Sequence, residues 1–224
     1  DLRTLVSEAR QEKRFLQESV VLDWANQLAS ALTYLHNQDP PILHRDIKPS
    51  NLKVTPNGLI KLDDFGLVKF LAPGEVTETI LQGQGTALYT PLEQYGGDSG
   101  HTDARTDIYA FGATLYNLLT NEPPTDARER FLSPDHFIPP GKINPQLHPR
   151  TEQAILWAMN LHPADRPENV EQFRSVLLGE VGTIPRLMRG RTTIQSLLGY
   201  PAEKALLIVS AGLTALSFLI TLLR

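Results

Sequence analysis

The sequence predicts a mainly α-helical lobe that carries one small β-hairpin and is followed by a single transmembrane helix. Three observations predict it. Apolar residues recur at steps of three and four through much of residues 1–179. Two short apolar runs flank the turn residues Thr55-Pro56-Asn57-Gly58. Residues 205–223 form an apolar run without a charge.

The 224 residues suffice for one well-buried domain with appendages, and 41% hydrophobic and 21% charged residues are ordinary for a globular protein. A net charge of −4 gives no reason to expect nucleic acid as a partner. There is no cysteine, which excludes a disulfide framework, a thiolate metal site and a cysteine nucleophile.

Residues 1–15 read as a short helix, with Leu2, Leu5, Val6 and Ala9 at helical spacing and a polar finish from Arg10 to Arg14. Ser19 is the expected N-cap of the next helix, whose stripe runs through Val20, Val21, Trp24, Leu28, Ala31, Leu32 and Leu35. Pro40 and Pro41 end it. Residues 52–54 and 59–62 read as the strands of the hairpin. Residues 66–100, rich in Gly, Thr and Pro, read as a long functional loop. Thr102 or Asp103 caps a helix that is apolar on most faces through Leu119. Residues 121–149 read as irregular, with one helical piece near 126–132, and two further helices follow at about 150–161 and 167–179.

Residues 180–204 read as a juxtamembrane linker. The uncharged run 205–223 would span roughly 28 Å as a helix, near the thickness of a hydrocarbon core. The alternative is a buried amphipathic helix with Ser210, Thr214, Ser217 and Thr221 on one side. Arg186, Arg189, Arg191 and Lys204 precede the run, which puts the N-terminal domain in the cytoplasm of a single-pass membrane protein.

Eight residues, His44-Arg45-Asp46-Ile47-Lys48-Pro49-Ser50-Asn51, sit between a helical stripe and the first strand. Thirteen residues after Asn51 comes Asp64-Phe65-Gly66. In this order and spacing they resemble the catalytic and metal-binding loops of a eukaryotic-type protein kinase. Phosphoryl transfer needs few covalent events: metal ions on the phosphates, an oriented hydroxyl and cations where charge builds up. The resemblance implies that Asp46 orients the acceptor hydroxyl and takes its proton. Lys48 stands near the transferred phosphate, as in serine/threonine kinases. Asn51 and Asp64 hold Mg²⁺ on ATP, and both offer the hard oxygens that this ion takes. It further implies that His44 and Phe65 form a stacked apolar spine and that Arg45 pairs with a phosphate on the activation segment.

Downstream features match in order. Gly85-Thr86 and Thr90-Pro91-Leu92-Glu93 resemble the end of an activation segment, with Thr86 contacting Asp46 and Lys48. Asp107 resembles the central-helix aspartate that holds the catalytic-loop backbone. Arg166 resembles the arginine that pairs with Glu93, and Thr77 and Thr79 are candidate phosphorylation sites. The likeness covers residues 1–179, the C-terminal lobe of a protein kinase domain, and is nearest the membrane-anchored bacterial serine/threonine kinases.

Two features depart from the pattern. Asp63 stands where an apolar or small residue is usual, so its charge must reach water or a partner. The residues present include no glycine-rich loop, no V-A-I-K-type lysine and no partner glutamate, and Gly83-Gln84-Gly85 lies in the wrong context to replace them. The chain thus reads as a fragment lacking the N-terminal lobe, with little activity by itself. The implied partners are protein substrates with Ser or Thr acceptors and, through 205–223, a membrane; a dimer for autophosphorylation is a further option. The alternative function is a membrane-anchored pseudokinase or scaffold that binds partners without catalysis. The intact Asp46, Asn51 and Asp64 speak against it.

Overall fold

The computed structural model describes residues 1–66, 69–70, 84–95 and 102–181, all within one compact unit, Asp1–Pro185. Thr77, Thr79 and the 205–223 run lie outside the described residues, as does the linker beyond 181. Among the described residues no helix is long and apolar enough to cross a membrane.

The first helix, α1 (Leu2–Gln11), is capped by the Asp1 carboxylate, which accepts from Thr4 N–H at 2.9 Å. It ends earlier than the 1–15 stretch suggests. The chain turns through Lys13 at φ +54°, and Arg14 N–H donates to the Ala9 carbonyl. Helix α2 (Glu18–His36) buries Val21, Ala25, Leu28, Ala29 and Leu32 along one stripe. Its N-cap is Gln17, not Ser19, and no side chain caps it. Glu18 instead accepts from His148 N–H and the Thr151 hydroxyl, tying the start of α2 to a distant helix.

Strand β1 (Ile42–Leu43) leads into the loop at His44. A 3₁₀ turn, Pro49–Asn51, leads into β2 (Leu52–Val54), which pairs antiparallel with β3 (Ile60–Leu62) in the register Leu52↔Leu62. Leu59 belongs to the turn rather than to the strand. Its N–H donates to Thr55 Oγ1 and its carbonyl accepts from Thr55 N–H, and Gly58 takes φ +80°.

Within 66–100 the described residues hold three short elements. Lys69–Phe70 form β4, antiparallel to β1, so a second two-stranded sheet is present. Gln84–Ala87 form α3, and a 3₁₀ turn covers Leu92–Gln94.

Helix α4 (Ala104–Thr120), capped by Asp103, is buried at every residue from Thr106 to Thr120. It crosses α7 (Pro149–Ala158) closely enough that a Cβ at Gly112 would lie 2.8 Å from Ala158 Cβ. Helices α5 (Ala127–Leu132) and α6 (Pro140–Ile143) precede α7 in the irregular stretch. Helix α8 (Val170–Leu178) packs on α2, α4 and α7, with Phe173 edge-on to Phe111 at 5.2 Å. Gly179 closes α8 at φ +78°. The loop 44–51 therefore lies against the most buried helix of the lobe.

Candidate active site

Asp107, in the first turn of α4 and fully buried, organises the loop. Its Oδ2 accepts from His44 N–H at 2.9 Å and its Oδ1 from Arg45 N–H at 2.7 Å. Arg45 takes φ +66°, a left-handed conformation uncommon outside glycine, and these two bonds bracket it. His36 adds a third contact, Nε2 to Asp107 Oδ2 at 2.8 Å. Further along, Thr114 donates to the Ile47 carbonyl at 3.3 Å and Gln94 Nε2 to the Arg45 carbonyl at 3.2 Å.

So held, the loop presents its polar side chains as a network. Asn51 Nδ2 donates to both the Asp46 carbonyl, at 2.8 Å, and Asp46 Oδ2, at 2.9 Å. Lys48 Nζ donates to the same Oδ2 at 2.8 Å and to Thr86 Oγ1 at 2.9 Å. Asp46 thus spends one oxygen on internal bonds, and among the described residues its Oδ1 has no partner. Thr86 meets Lys48 directly, and its link to Asp46 runs through the lysine.

The hairpin sets Asn51 beside the second loop. Asp63 N–H donates to the Asn51 carbonyl at 2.8 Å, extending the ladder by one bond, and Asp64 follows at φ +63°. Asp63 is exposed, and its carboxylate accepts from Asp64 N–H, so its charge carries no burial penalty. Asp64 is exposed too, accepts from Gly66 N–H at 3.3 Å, and forms no ion pair among the described residues. The exposed Asp64 carboxylate and the Asn51 carboxamide oxygen, which accepts from Ser50 Oγ at 3.2 Å, stand on two loops joined by the Asp63–Asn51 bond and are hard oxygen donors of the type Mg²⁺ takes.

His44 is fully buried, its ring edge-on to Phe65 at 5.0 Å. Burial lowers the His44 pKa, against the pull of the Asp107 and Asp46 carboxylates. Phe65 remains about half exposed (51%), so the described residues cover the expected apolar stack only in part. Arg45 is buried and carries no ion pair among the described residues, and its desolvation lowers its pKa. Thr77 and Thr79, the candidate phosphorylation sites expected to face it, lie outside the described residues.

Glu93 and Arg166 form a bidentate pair, Nη1 to Oε1 at 2.6 Å and Nη2 to Oε2 at 3.0 Å. The remaining guanidinium N–H groups donate to the carbonyls of Asn160, Arg105 and Leu161, so all five donors are satisfied. His36, Gln94 and Thr114 also serve the site. None carries a local signal: His36 reads as a helix end, Gln94 as a neighbour of Glu93, and Thr114 as one more residue of the central stripe.

Comparison with known proteins gives the arrangement a family. The model of the protein kinase domain matches residues 1–171. The serine/threonine-protein kinase PknB of Mycolicibacterium smegmatis is 30% identical over 186 residues, 78% of this chain and 29% of that protein. The probable serine/threonine-protein kinase nek2 of Dictyostelium discoideum is 34% identical over 177 residues, 77% and 41% respectively. The chain thus spans well under half the length of these relatives. Among solved structures, the apo form of PpkA-294 superposes with a TM-score of 0.61 at 24% identity over 79% of this chain and 59% of that one, a likeness of fold. A helical lobe built on Asp107, with the loop motifs in order and the domain model matched through residue 171, belongs to the protein kinase domain family.

Proposed function

We propose that the intact protein transfers the γ-phosphate of Mg²⁺-bound ATP to serine or threonine hydroxyls of protein substrates. The observation that carries this reading is Lys48, bonded at once to Asp46 and to Thr86. It ties the carboxylate that would receive the hydroxyl proton to the segment that would hold the acceptor.

In this reading the free Oδ1 of Asp46 accepts the hydroxyl proton as the oxygen bonds to the γ-phosphorus. The bond from that phosphorus to the bridging oxygen of ADP breaks in line. Asn51, by donating twice to Asp46, fixes the carboxylate plane before substrate arrives. Lys48 places a cation where charge develops on the transferred group. Asn51 Oδ1 and Asp64 would hold Mg²⁺, which supplies charge neutralisation on the phosphates when bound. Arg45, buried without an acidic partner among the described residues, would take a phosphate on Thr77 or Thr79 and order the activation segment. Residues 205–223 would anchor the protein as a single span with the kinase domain in the cytoplasm.

Labelled-phosphate transfer by the full-length protein tests the reading. Asp46→Ala should abolish transfer, and equal incorporation by both proteins would sink it. For the anchor, alkaline carbonate extraction should leave the full-length protein in the pellet; release into the supernatant restores the amphipathic-helix reading.

A further inference from the structure

An open groove of about 350 Å³ is lined by Lys48, Thr86, Ser50, Tyr89, Asn117 and Arg3, among others. Among the described residues that line it, none is a carboxylate. The charge of Lys48 is committed to Asp46 at 2.8 Å, which among the described residues leaves the Arg3 guanidinium as the uncompensated charge of the groove. Among the described residues Arg3 forms no ion pair. On its own helix the residues three and four positions on are Val6 and Ser7, so α1 offers no acidic partner. The nearby Asp1 carboxylate is already engaged by Thr4 N–H and faces Lys53 at 3.9 Å.

Helix stability does not explain the residue. Arg3 sits in the first turn of α1, where a cation opposes the helix dipole, and the acid at that end, the N-cap Asp1, is engaged by Thr4 N–H and faces Lys53. Its neighbour Leu2 is fully buried, which pins the start of the helix and so the position from which Arg3 reaches the groove. The field of Arg3 is felt inside: it opposes the rise that burial imposes on the Tyr89 phenol, whose hydroxyl donates to Asn117 at 3.0 Å.

Resting on the kinase reading above, we infer that Arg3 selects protein substrates bearing an aspartate or glutamate close to the acceptor serine or threonine. A chain whose hydroxyl reaches Asp46 passes Lys48, which bonds Asp46 and lines the same groove as Arg3, so its flanking side chains come within the field of that guanidinium. Coulomb attraction between that guanidinium and a substrate carboxylate then favours acidic over neutral or basic neighbours.

The test uses the full-length protein and a peptide series with one Ser or Thr acceptor in a neutral background. A single Glu, Gln or Lys is walked from four residues before the acceptor to four after it. One position should show kcat/KM about two- to five-fold higher for Glu than for Gln, the range of an exposed ion pair, and lower for Lys. In Arg3→Gln that ratio should fall to about one, in Arg3→Lys it should persist, and in Arg3→Glu it should invert. A flat profile in the wild type overturns the inference even if a variant fails to fold. So does a Glu preference that Arg3→Gln leaves intact. Failure to phosphorylate any peptide, neutral ones included, or casein would instead remove the kinase reading itself, and the inference with it.

Discussion

Replacing Asp107 with asparagine keeps the shape of the side chain while turning one of its two acceptor oxygens into a donor. Oδ1 now serves Arg45 N–H, and Oδ2 serves both His44 N–H and His36 Nε2. The single oxygen of asparagine can serve one of the two backbone groups and no more. The other is left buried and opposite an NH₂, a loss of about 1–3 kcal/mol. The bond that survives is no longer charge-assisted and loses roughly 1 kcal/mol more. The sum is about 2–4 kcal/mol, which for a domain of this size lowers the unfolding midpoint by roughly 4–16 °C. Because the orphaned N–H belongs to His44 or Arg45, the damage falls next to Asp46. Phosphate transfer should drop in kcat more than KM rises. Thermal unfolding and initial-rate kinetics of the full-length protein read both effects. A midpoint within about 1 °C of wild type, with kcat unchanged, would refute the claim that Asp107 holds the loop.

Glu93→Gln leaves the fully buried Arg166 guanidinium without its counter-charge and should destabilise by about 3–5 kcal/mol in urea unfolding, while the double change Glu93→Gln/Arg166→Met should cost less than the sum of the two single changes. His44 gives a pH signature. Its folded pKa lies below 6.5, so as pH falls past 6.5 the unfolded chain binds a proton that the folded chain does not, and stability declines. Midpoints measured from pH 8 to pH 5 should fall less steeply for His44→Leu than for wild type, and parallel curves would count against a neutral buried imidazole.

What the sequence made legible follows the length and regularity of each signal. The stripe of α2 and the all-round apolar α4 reflect burial over five turns each, so their periodicity is strong. Strands β1 and β4 have two residues apiece, too few for an alternation to register, and their pairing is non-local, Ile42 with Phe70. Ser19 is a good N-cap residue by type, but the helix already starts at Glu18, because that carboxylate is held by α7 residues that local sequence does not show. In the site, Asp46, Lys48 and Asn51 share one loop and were legible together. His36 reaches Asp107 across 71 positions, and nothing near it announces the contact. Asp63 shows the reverse case: an unusual residue type that costs nothing, since the turn leaves it in water.

Arg45 and Asp64 are non-glycine residues at positive φ, and they fall in the two loops that meet at Asn51. Left-handed backbone at such residues costs on the order of 1–3 kcal/mol and persists only where surrounding bonds over-determine it. At Arg45 the determinants are the two bonds of a fully buried carboxylate on α4 and the Gln94 amide on its carbonyl. At Asp64 they are the Asp63 carboxylate on its N–H and the hairpin bond from Asp63 to Asn51. The conformations are useful because each reverses the chain just where a polar side chain must leave the core: Asp46 follows one, and Asp64 is the other. A glycine at position 45 would adopt the same φ more easily, but it would remove the buried guanidinium from the loop. The order of the site is thus drawn from the helical core beneath it. Stabilising α4 should therefore sharpen the alignment of Asp46 with Lys48 and Asn51 without touching any of the three.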